Sequence, residues 1–401
     1  MKLVNQQFIK DTNMKHLYTS IYSSPGISRA NLAKQTHLSK TTVSTLVDEL
    51  IEREFILDSG ISDSDSIGRK PNCLHVRTNS YYVLVLNWVE NTVYACLVDI
   101  AGTSVFSEQY QLNPSDTYIA CSSSCLYHSI LNHYDSKRIL GICVVVSAMI
   151  DAAHNEVYST TLSLLDTERE NLIDSLRVAF PEFSVALLED TACYSYAEKI
   201  YAGIEEKNFA FLNFSRGIGA TLFIEGNMLG KASGSFTQFG HYSLNPNGAL
   251  CACGNHGCLE TMISENRLKS RISEFGSISS LEMQDYVTFS DLGKAVTFRD
   301  PTAITMVRQM AWELAQALGN LICTVNPSLI VLGGKIPPLG ELFLNEVRNG
   351  LKSTGFRKMV DSVTVRYSKL PSDSFINGAM KYFFDIHYSF TDNNTSSFFI
   401  G

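Results

Sequence analysis

The sequence predicts an α/β protein of two lobes preceded by a winged helix-turn-helix module. Two capped helices stand close together between Gly26 and Ile56, and a strand–loop–strand pattern succeeds them. From Tyr81 onward, short apolar runs alternate with helical stretches, the pattern of a mixed sheet covered by helices. At 401 residues the chain exceeds one ordinary core. Its 45% apolar and 18% charged residues are a globular balance, not a disordered one.

The first helices lie in "GISRANLAKQTHLSKTTVSTLVDELIEREFI", Gly26 to Ile56. Ser28 caps a short helix through Gln35, "THL" makes the turn, and Ser39 caps a longer helix to about Glu54. Val43, Leu46, Val47 and Leu50 recur at i, i+3, i+4 and i+7 and form one buried stripe. Ser39, Lys40, Thr41, Thr42, Ser44 and Thr45 are left near the open N-terminal end. Short polar side chains and one lysine there suit a recognition helix in a DNA major groove. The same pattern also suits a small helical bundle with a solvated face.

The residues after Glu54 favour DNA. "FILDSG" and "NCLHVRT" read as two strands joined by "ISDSDSIGRKP", a wing carrying Gly68, Arg69, Lys70 and Pro71. A narrow cationic tip of this kind can lie against phosphates or enter the minor groove. An upstream helix around Asn5 to Ser23 completes a module over 1–78 and offers a dimerisation surface. The expected partner is double-stranded operator DNA, bound by a homodimer or homotetramer.

Charge agrees with this division. Up to Thr78 there are ten Lys/Arg and eight Asp/Glu, net +2, and the remainder carries 22 against 32, net −10. The overall −8 excludes a protein that coats nucleic acid over its whole surface. "MKLVNQQFIKDTN" holds no signal-peptide core. The longest apolar run, "ILGICVVVSAMI", is about a dozen residues, short of the roughly 20 that span a bilayer. The chain is therefore expected in the cytoplasm, with no membrane partner. Ten cysteines in a reducing compartment read as free thiols or metal ligands. Cys96, Cys143 and Cys323 sit in apolar runs and read as small core residues.

Over 79–401, "YYVLVLNWV", "TVYACLVDI" and "GTSVFSEQY" read as successive strands. "ILGICVVVSAMI", "SVALLED", "FAFLNF", "GATLFIEG" and "LIVLGG" are further strands. A helix spans about Pro301 to Val325, capped by Asp300. Ile304, Val307, Met310, Leu314, Leu318 and Leu321 line its expected buried side. Two lobes result, about 79–190 plus the C-terminal helix and about 191–370, with a ligand cleft between them.

"CACGNHGCLE", Cys251 to Glu260, places three cysteines within eight positions, with His241 ten residues upstream. One imidazole and three thiolates from His241, Cys251, Cys253 and Cys258 close a tetrahedral zinc site, structural because no position stays open. Gly254 and Gly257 permit a tight loop around the ion. His256 is a rival ligand on spacing alone, and the reducing compartment disfavours a disulfide.

"GHYSLNPNGALCACGNHGCLE" closely resembles the zinc signature of the ROK family, named for repressors, open reading frames and kinases. "LLEDTACYSYAE", "NFSRGIGATLFIEG" and "NPSLIVLGG" match further family segments in order, and the N-terminal helices with "GRKP" look like its repressor branch. The resemblance covers nearly the whole chain and implies an actin/hexokinase-like (ROK) domain, His241 over His256 as ligand, and either of two activities. One is an ATP-dependent sugar kinase with Asp190 as base; the other is a sugar-responsive repressor of carbohydrate genes.

The residues choose between them. Where the family's kinases carry a glycine-rich phosphate loop, this chain reads "NWVENT", Asn87 to Thr92, with no glycine and a bulky Trp88. "VVSAMID" lacks the family's Pro-Gly, and Arg216 stands before Gly217 where a small residue is usual. The chain is therefore read as a non-enzymatic regulator, most like the xylose-repressor group. The resemblance assigns its effector, a small sugar or sugar phosphate, to Glu189, Asp190, Gln238, His241 and Glu260. Glu189 stands for Asn and Gln238 for Glu, which departs from the family's usual hexose site. Arg216 would meet an anionic group on the ligand or pair internally.

Overall fold

Capping chemistry sets the first elements of the computed structural model, which describes residues 6–61, 72–151, 154–159, 161–230, 237–391 and 397–400. The wing tip, Gly68 to Pro71 with Arg69 and Lys70, lies outside the described residues. Helix α1 spans Gln6–Ser23 and α2 Arg29–Thr36, the latter capped by Ser28 accepting from the Asn31 amide. The left-handed His37 (φ 56°) ends α2, and Ser39 caps α3, Lys40–Glu52, by accepting from the Thr42 amide. Val43, Leu46, Val47 and Leu50 are buried together with Met14, Leu17, Leu32 and Leu74. Helix α3 stops two residues before the expected Glu54. Glu54 turns left-handed (φ 62°), where its carboxylate meets Arg77 at 3.0 Å and also pairs with Arg138. Strands β1 (Ile56–Ile61) and β2 (Asn72–Val76) then pair antiparallel, Ile56 opposite Val76.

These elements belong to the first of two compact units, which gathers 1–146, 163–187 and 379–399. Its sheet comprises β3 (Tyr82–Val89), β4 (Thr92–Asp99), β5 (Ser104–Gln111), β6 (Ile139–Val146), β9 (Val185–Glu189) and β15 (Phe398–Ile400), in the order β15-β9-β6-β3-β4-β5. The meander β3–β4–β5 is antiparallel, whereas β3 and β6 are parallel and almost wholly apolar, as strands covered on both faces must be. Helices α4 (Tyr118–Ser124), α5 (Asp166–Arg169) and α6 (Leu172–Ala179) complete this unit. The N-terminal helices are fastened within it by aromatic packing and buried polar bonds. The buried Tyr18 donates to the Ile100 carbonyl at 2.9 Å, and its ring lies 4.5 Å from Phe384. Phe55 stacks on Tyr81 at 4.4 Å and meets Phe390 edge-on at 4.9 Å, while Arg53 donates to the Phe390 carbonyl at 2.8 Å.

The second unit gathers 147–162, 188–378 and 400–401. It holds the hairpin β7 (Met149–Asp151) and β8 (Glu156–Tyr158) and a five-stranded sheet in the order β12-β11-β10-β13-β14. Those strands are β10 (Phe209–Phe214), β11 (Ile218–Ile224), β12 (Asn227–Met228), β13 (Leu329–Gly334) and β14 (Thr364–Tyr367). Strands β10, β13 and β14 run parallel and β11 antiparallel. The helices are α7 (Asp190–Tyr201), α8 (Glu260–Ile263), α9 (Leu268–Phe275), α10 (Phe289–Thr297), α11 (Pro301–Val325), α12 (Gly340–Leu351), α13 (Arg357–Val360) and, as far as Gly378, α14 (Ser374–Tyr382). No helix among the described residues is long and apolar enough to cross a membrane.

Helix α11 has the expected bounds, but its buried side is centred differently. Ala303, Met306, Val307, Met310, Leu314, Leu318 and Ile322 are buried, and Ile304 and Leu321 are half-buried at the edges of that stripe. Cys96 and Cys143 are buried as expected, but Cys323 is exposed. Five positions beyond Leu318 turn its side chain about 140° away from the stripe.

Asp300 accepts from the Ala303 amide at 2.9 Å at the head of this 25-residue helix. Replacing it with alanine should cost about 1 kcal/mol. Chemical denaturation will check this; a variant as stable as the parent would mean that Pro301 alone sets the helix start.

Candidate functional site

The cysteine loop forms because two of its glycines take backbone shapes that side chains rarely adopt, and one of them has no room for a Cβ. Gly254 (φ 88°) and Gly257 (φ 62°) are left-handed, and a Cβ on Gly257 would stand 1.7 Å from the Asn245 carbonyl oxygen. The loop is closed by amides: Gly254 donates to the Cys251 carbonyl and Gly257 to that of Ala249, both at 2.9 Å. His241, Cys251, Cys253 and Cys258 thereby converge, with one donor atom from each lying within 4.8 Å of the others. The Cys251 sulfur is 3.5 Å from His241 Nδ1, and the Cys253 and Cys258 sulfurs are 3.7 Å apart. Burial and the adjoining Cys253 and Cys251 thiols push Cys258 up to about 12. Three thiolates cannot share this space without a cation. His256 is outside the group; its Nδ1 lies 3.1 Å from the Gly248 carbonyl.

The start of β11 gathers the candidate effector residues. The Ile218 amide donates to Glu260 Oε2 at 3.2 Å, and a Cβ on Gly217 would lie 2.5 Å from that oxygen. A Cβ on Gly219 would lie 2.3 Å from Thr191 Oγ1, immediately after Asp190. A Cβ on Gly240, immediately before His241, would lie 2.3 Å from the Ile218 carbonyl. Gln238 is exposed and comes directly after Thr237, whose hydroxyl donates to the Ala220 carbonyl at 2.8 Å. Three glycines thus let Asp190, His241 and Glu260 approach one strand end.

Asp190 and Glu189 stand at the N-terminus of α7. Burial pushes the Asp190 carboxyl up to about 6, against the Thr191 hydroxyl and amide and the Ser147 hydroxyl, which oppose the rise. Thr191 and Ser147, which the sequence did not single out, are therefore members of this site; the only sequence signal was a threonine directly after the aspartate. Burial, and then the neighbouring Asp190 charge, raise Glu189 well above the usual carboxylate range. Glu189 is buried, and its Oε1 has no hydrogen-bond partner among the described residues. Arg216 lies 6.0 Å from the Tyr286 ring centroid, and the Tyr286 hydroxyl donates to Glu265 at 3.1 Å.

On α3 the proposed base-reading residues divide into two groups. Lys40, Thr41 and Thr45 are exposed. Ser39 is also exposed but caps the helix, and its hydroxyl is 2.8 Å from that of Thr42. Ser44 is half-buried and takes a 3.1 Å bond from Arg29, which also meets Asp48 at 2.7 Å. The sequence had not picked out Arg29, because nothing local marks a contact from one helix to the next.

The stretch Asn87 to Thr92 is a tight hairpin. Val89 pairs with Thr92 across the two residues Glu90 and Asn91, and Glu90 is left-handed (φ 53°). Trp88 is fully buried, donates to Ser122 Oγ at 3.0 Å and stacks on Tyr118 at 5.1 Å.

The model of the ROK family matches residues 90–385, and that of a winged helix-turn-helix DNA-binding domain matches 10–56. Among curated proteins, the chain is similar to the xylose repressor of Bacillus subtilis (strain 168), 25% identical over 377 residues that cover 93% of this chain and 94% of that one. It is also similar to the DNA-binding transcriptional repressor Mlc of Escherichia coli (strain K12), 21% identical over 385 residues, 92% of each. Among solved structures, a ROK family transcriptional regulator, a homolog of the E. coli Mlc protein, superposes with a TM-score of 0.77 at 20% identity, covering 94% of this chain and 97% of that one. A ROK family glucokinase from Streptomyces griseus, in complex with glucose and AMPPNP, gives 0.61 at 19% identity, covering 75% and 98%.

The raised Asp190 carboxyl has a consequence for stability. A carboxyl whose folded value exceeds its unfolded one contributes stability in acid that is lost as pH rises from its ordinary range through about 6. Asp190→Asn should therefore stabilise the chain at pH 7.5 by on the order of 1–3 kcal/mol, with the gain vanishing near pH 4. Melting curves across this range test it; a gain independent of pH, or a loss at pH 7.5, would refute it.

Proposed function

The chain belongs to the ROK family, and we propose that it is a sugar-responsive transcriptional repressor of carbohydrate-utilisation genes. The observation that carries this reading is the joining of a helix-turn-helix model match to a ROK match in one chain. A relative named xylose repressor runs alongside 93% of it. The regulator structure covers 94% of the chain and the glucokinase 75%, a difference about the length of the N-terminal module. The β3–β4 hairpin supports a regulator over a kinase. Its two-residue turn carries no glycine, and the ring of Trp88 is committed to the interior, so backbone amides there offer no cradle for ATP phosphates.

In this reading Lys40, Thr41 and Thr45 face the major groove, and Ser39, Thr42 and Ser44 shape the helix that carries them. Arg69 and Lys70 of the wing meet phosphates. The protein acts in the cytoplasm as a homo-oligomer, each dimer spanning two half-sites about 34–36 Å apart or a multiple of that.

The effector is a sugar or sugar derivative held by Asp190, His241, Glu260, Gln238 and Glu189. Carboxylates suit polyols because each oxygen accepts hydroxyl hydrogen bonds in defined directions. Glu189, raised above the usual carboxylate range by burial and then by the Asp190 charge, stands where the family carries an asparagine.

The metal is zinc, held by His241, Cys251, Cys253 and Cys258. Bonds of about 2.3 Å to sulfur and 2.1 Å to nitrogen set tetrahedral edges of roughly 3.8 Å between sulfurs and 3.6 Å between sulfur and nitrogen. The 3.7 Å and 3.5 Å separations match these edges. Four protein donors make the ion structural. With Nδ1 on the metal side, His241 keeps Nε2 for a sugar hydroxyl, so the ion braces the pocket.

Two experiments test this reading. The purified chain should hold one zinc per subunit, and a strong chelator should lower its melting temperature by several degrees; a metal-free chain of unchanged stability would exclude the zinc assignment. In a gel shift at fixed salt, the promoter region of its own gene neighbourhood should bind and be released by one member of a panel of D-xylose, D-glucose, N-acetylglucosamine and their phosphates. Lys40→Ala should weaken binding about tenfold. Absence of specific binding, together with ATP consumption in the presence of a sugar, would make the chain a kinase.

A further inference from the structure

The three cysteines of the metal loop are not equally shielded. Cys251 is 4% exposed and Cys258 fully buried, whereas Cys253 is exposed. Every residue from Ala252 to His256 is exposed with it. Of the three sulfur donors, only Cys253 therefore stands open to a small solute.

Cys253 and Cys258 are also held differently. The backbone at Cys258 is fixed on both sides: it bridges to Ser243, its carbonyl accepts from the Thr261 hydroxyl at 2.8 Å and amide at 2.9 Å, and the Leu259 amide donates to the Tyr242 carbonyl at 3.0 Å. Cys253 rides on a turn closed at its ends, by the Cys251 amide on the Asn255 carbonyl at 2.8 Å and the Gly254 amide on the Cys251 carbonyl at 2.9 Å. Gly254, next to it, faces open space, for a Cβ there would meet nothing within 4 Å. The two sulfurs are 3.7 Å apart. A disulfide holds its sulfurs about 2.05 Å apart, so the exposed turn has to close about 1.7 Å onto a fixed partner.

We propose that Cys253 is an oxidation site for hydrogen peroxide and that Cys258 resolves it as a disulfide, so that the loop gives up its ion when oxidised. The proposal rests on the zinc reading. Thiolates bind zinc, and thiolates also attack peroxides, so a ligating sulfur that solutes can reach is a target. The Cys253 thiolate attacks one peroxide oxygen; an S–O bond forms, the O–O bond breaks and hydroxide leaves. The Cys258 thiolate then attacks the resulting sulfenic sulfur; an S–S bond forms, the S–O bond breaks and a second hydroxide leaves. Two protons from solvent convert both hydroxides to water. The two sulfurs together lose two electrons, and the peroxide gains them. His241 and Cys251 remain as donors, half of a tetrahedral set and too few to retain the ion.

The test begins with the zinc content of the reduced full-length chain, followed by titration with hydrogen peroxide. A chromogenic chelator should report one zinc released for every two thiols lost, and a non-reducing digest should contain a peptide joining Cys253 to Cys258. Dithiothreitol with added zinc should reverse both changes. Cys253→Asp keeps an anionic oxygen donor that peroxide does not oxidise, and should slow the release by about tenfold or more. Should that variant fail to fold, the digest of the parent chain carries the test. Cys323, an exposed thiol outside the cluster, is the internal control. Zinc retained while Cys323 is oxidised, a disulfide joining any other pair, or release from Cys253→Asp as fast as from the parent would overturn the proposal. A reduced chain without zinc would remove the zinc reading and the proposal together, a failure told apart because the metal is measured before peroxide is added.

Discussion

Close approach at the first residues of β11 is the constraint on which the candidate site depends. Gly217 and Gly219 have no room for a Cβ beside Glu260 and Thr191, and Gly240 has none beside the Ile218 carbonyl. A side chain at any of the three would push apart the carboxylates and the imidazole proposed to meet one ligand. Gly257 has the same role in the neighbouring cysteine loop, against the Asn245 carbonyl, and that loop brings Cys258 beside Cys253. Backbone shape at a few glycines therefore brings together groups that lie far apart in sequence, from Asp190 to Glu260.

The site so formed buries carboxyls at a cost. Two adjacent carboxyls at the head of α7 are both raised above their ordinary range, chiefly by burial. A fold selected for stability alone would not retain such a pair, because each can be ionised only against the loss of its hydration. In the proposed reading, the hydroxyls of a bound sugar would take the place of that lost water.

Local chemistry made much of this legible in the sequence. The caps Ser28, Ser39 and Asp300 bound their helices where the sequence places them, since a cap involves residues only three apart. The cysteine cluster was legible for a similar reason, with three of its four donors inside one loop. Cys323 was misjudged because an apolar run does not say which way a helix faces. Lys381 among Tyr18, Tyr22 and Asp385, Gly378 against Cys193 and Arg29 against Ser44 were not legible at all. Each joins separate elements, and a buried lysine or a helical glycine reads locally as an ordinary surface or flexible residue.

A sugar-responsive repressor of the proposed kind would face a demanding energetic requirement. Taking a two-state equilibrium from 1:99 to 99:1 needs about 5.5 kcal/mol of differential binding. Coupling between sites in one chain is ordinarily about 1–3 kcal/mol. A single sugar on a single subunit therefore falls short. In the proposed homo-oligomer, two subunits holding two half-sites at once would multiply the effect, since a misplacement in either one would remove the shared contact. A kinase directs binding energy into the transition state, whereas a regulator of the proposed kind would keep that energy for the equilibrium between its conformations.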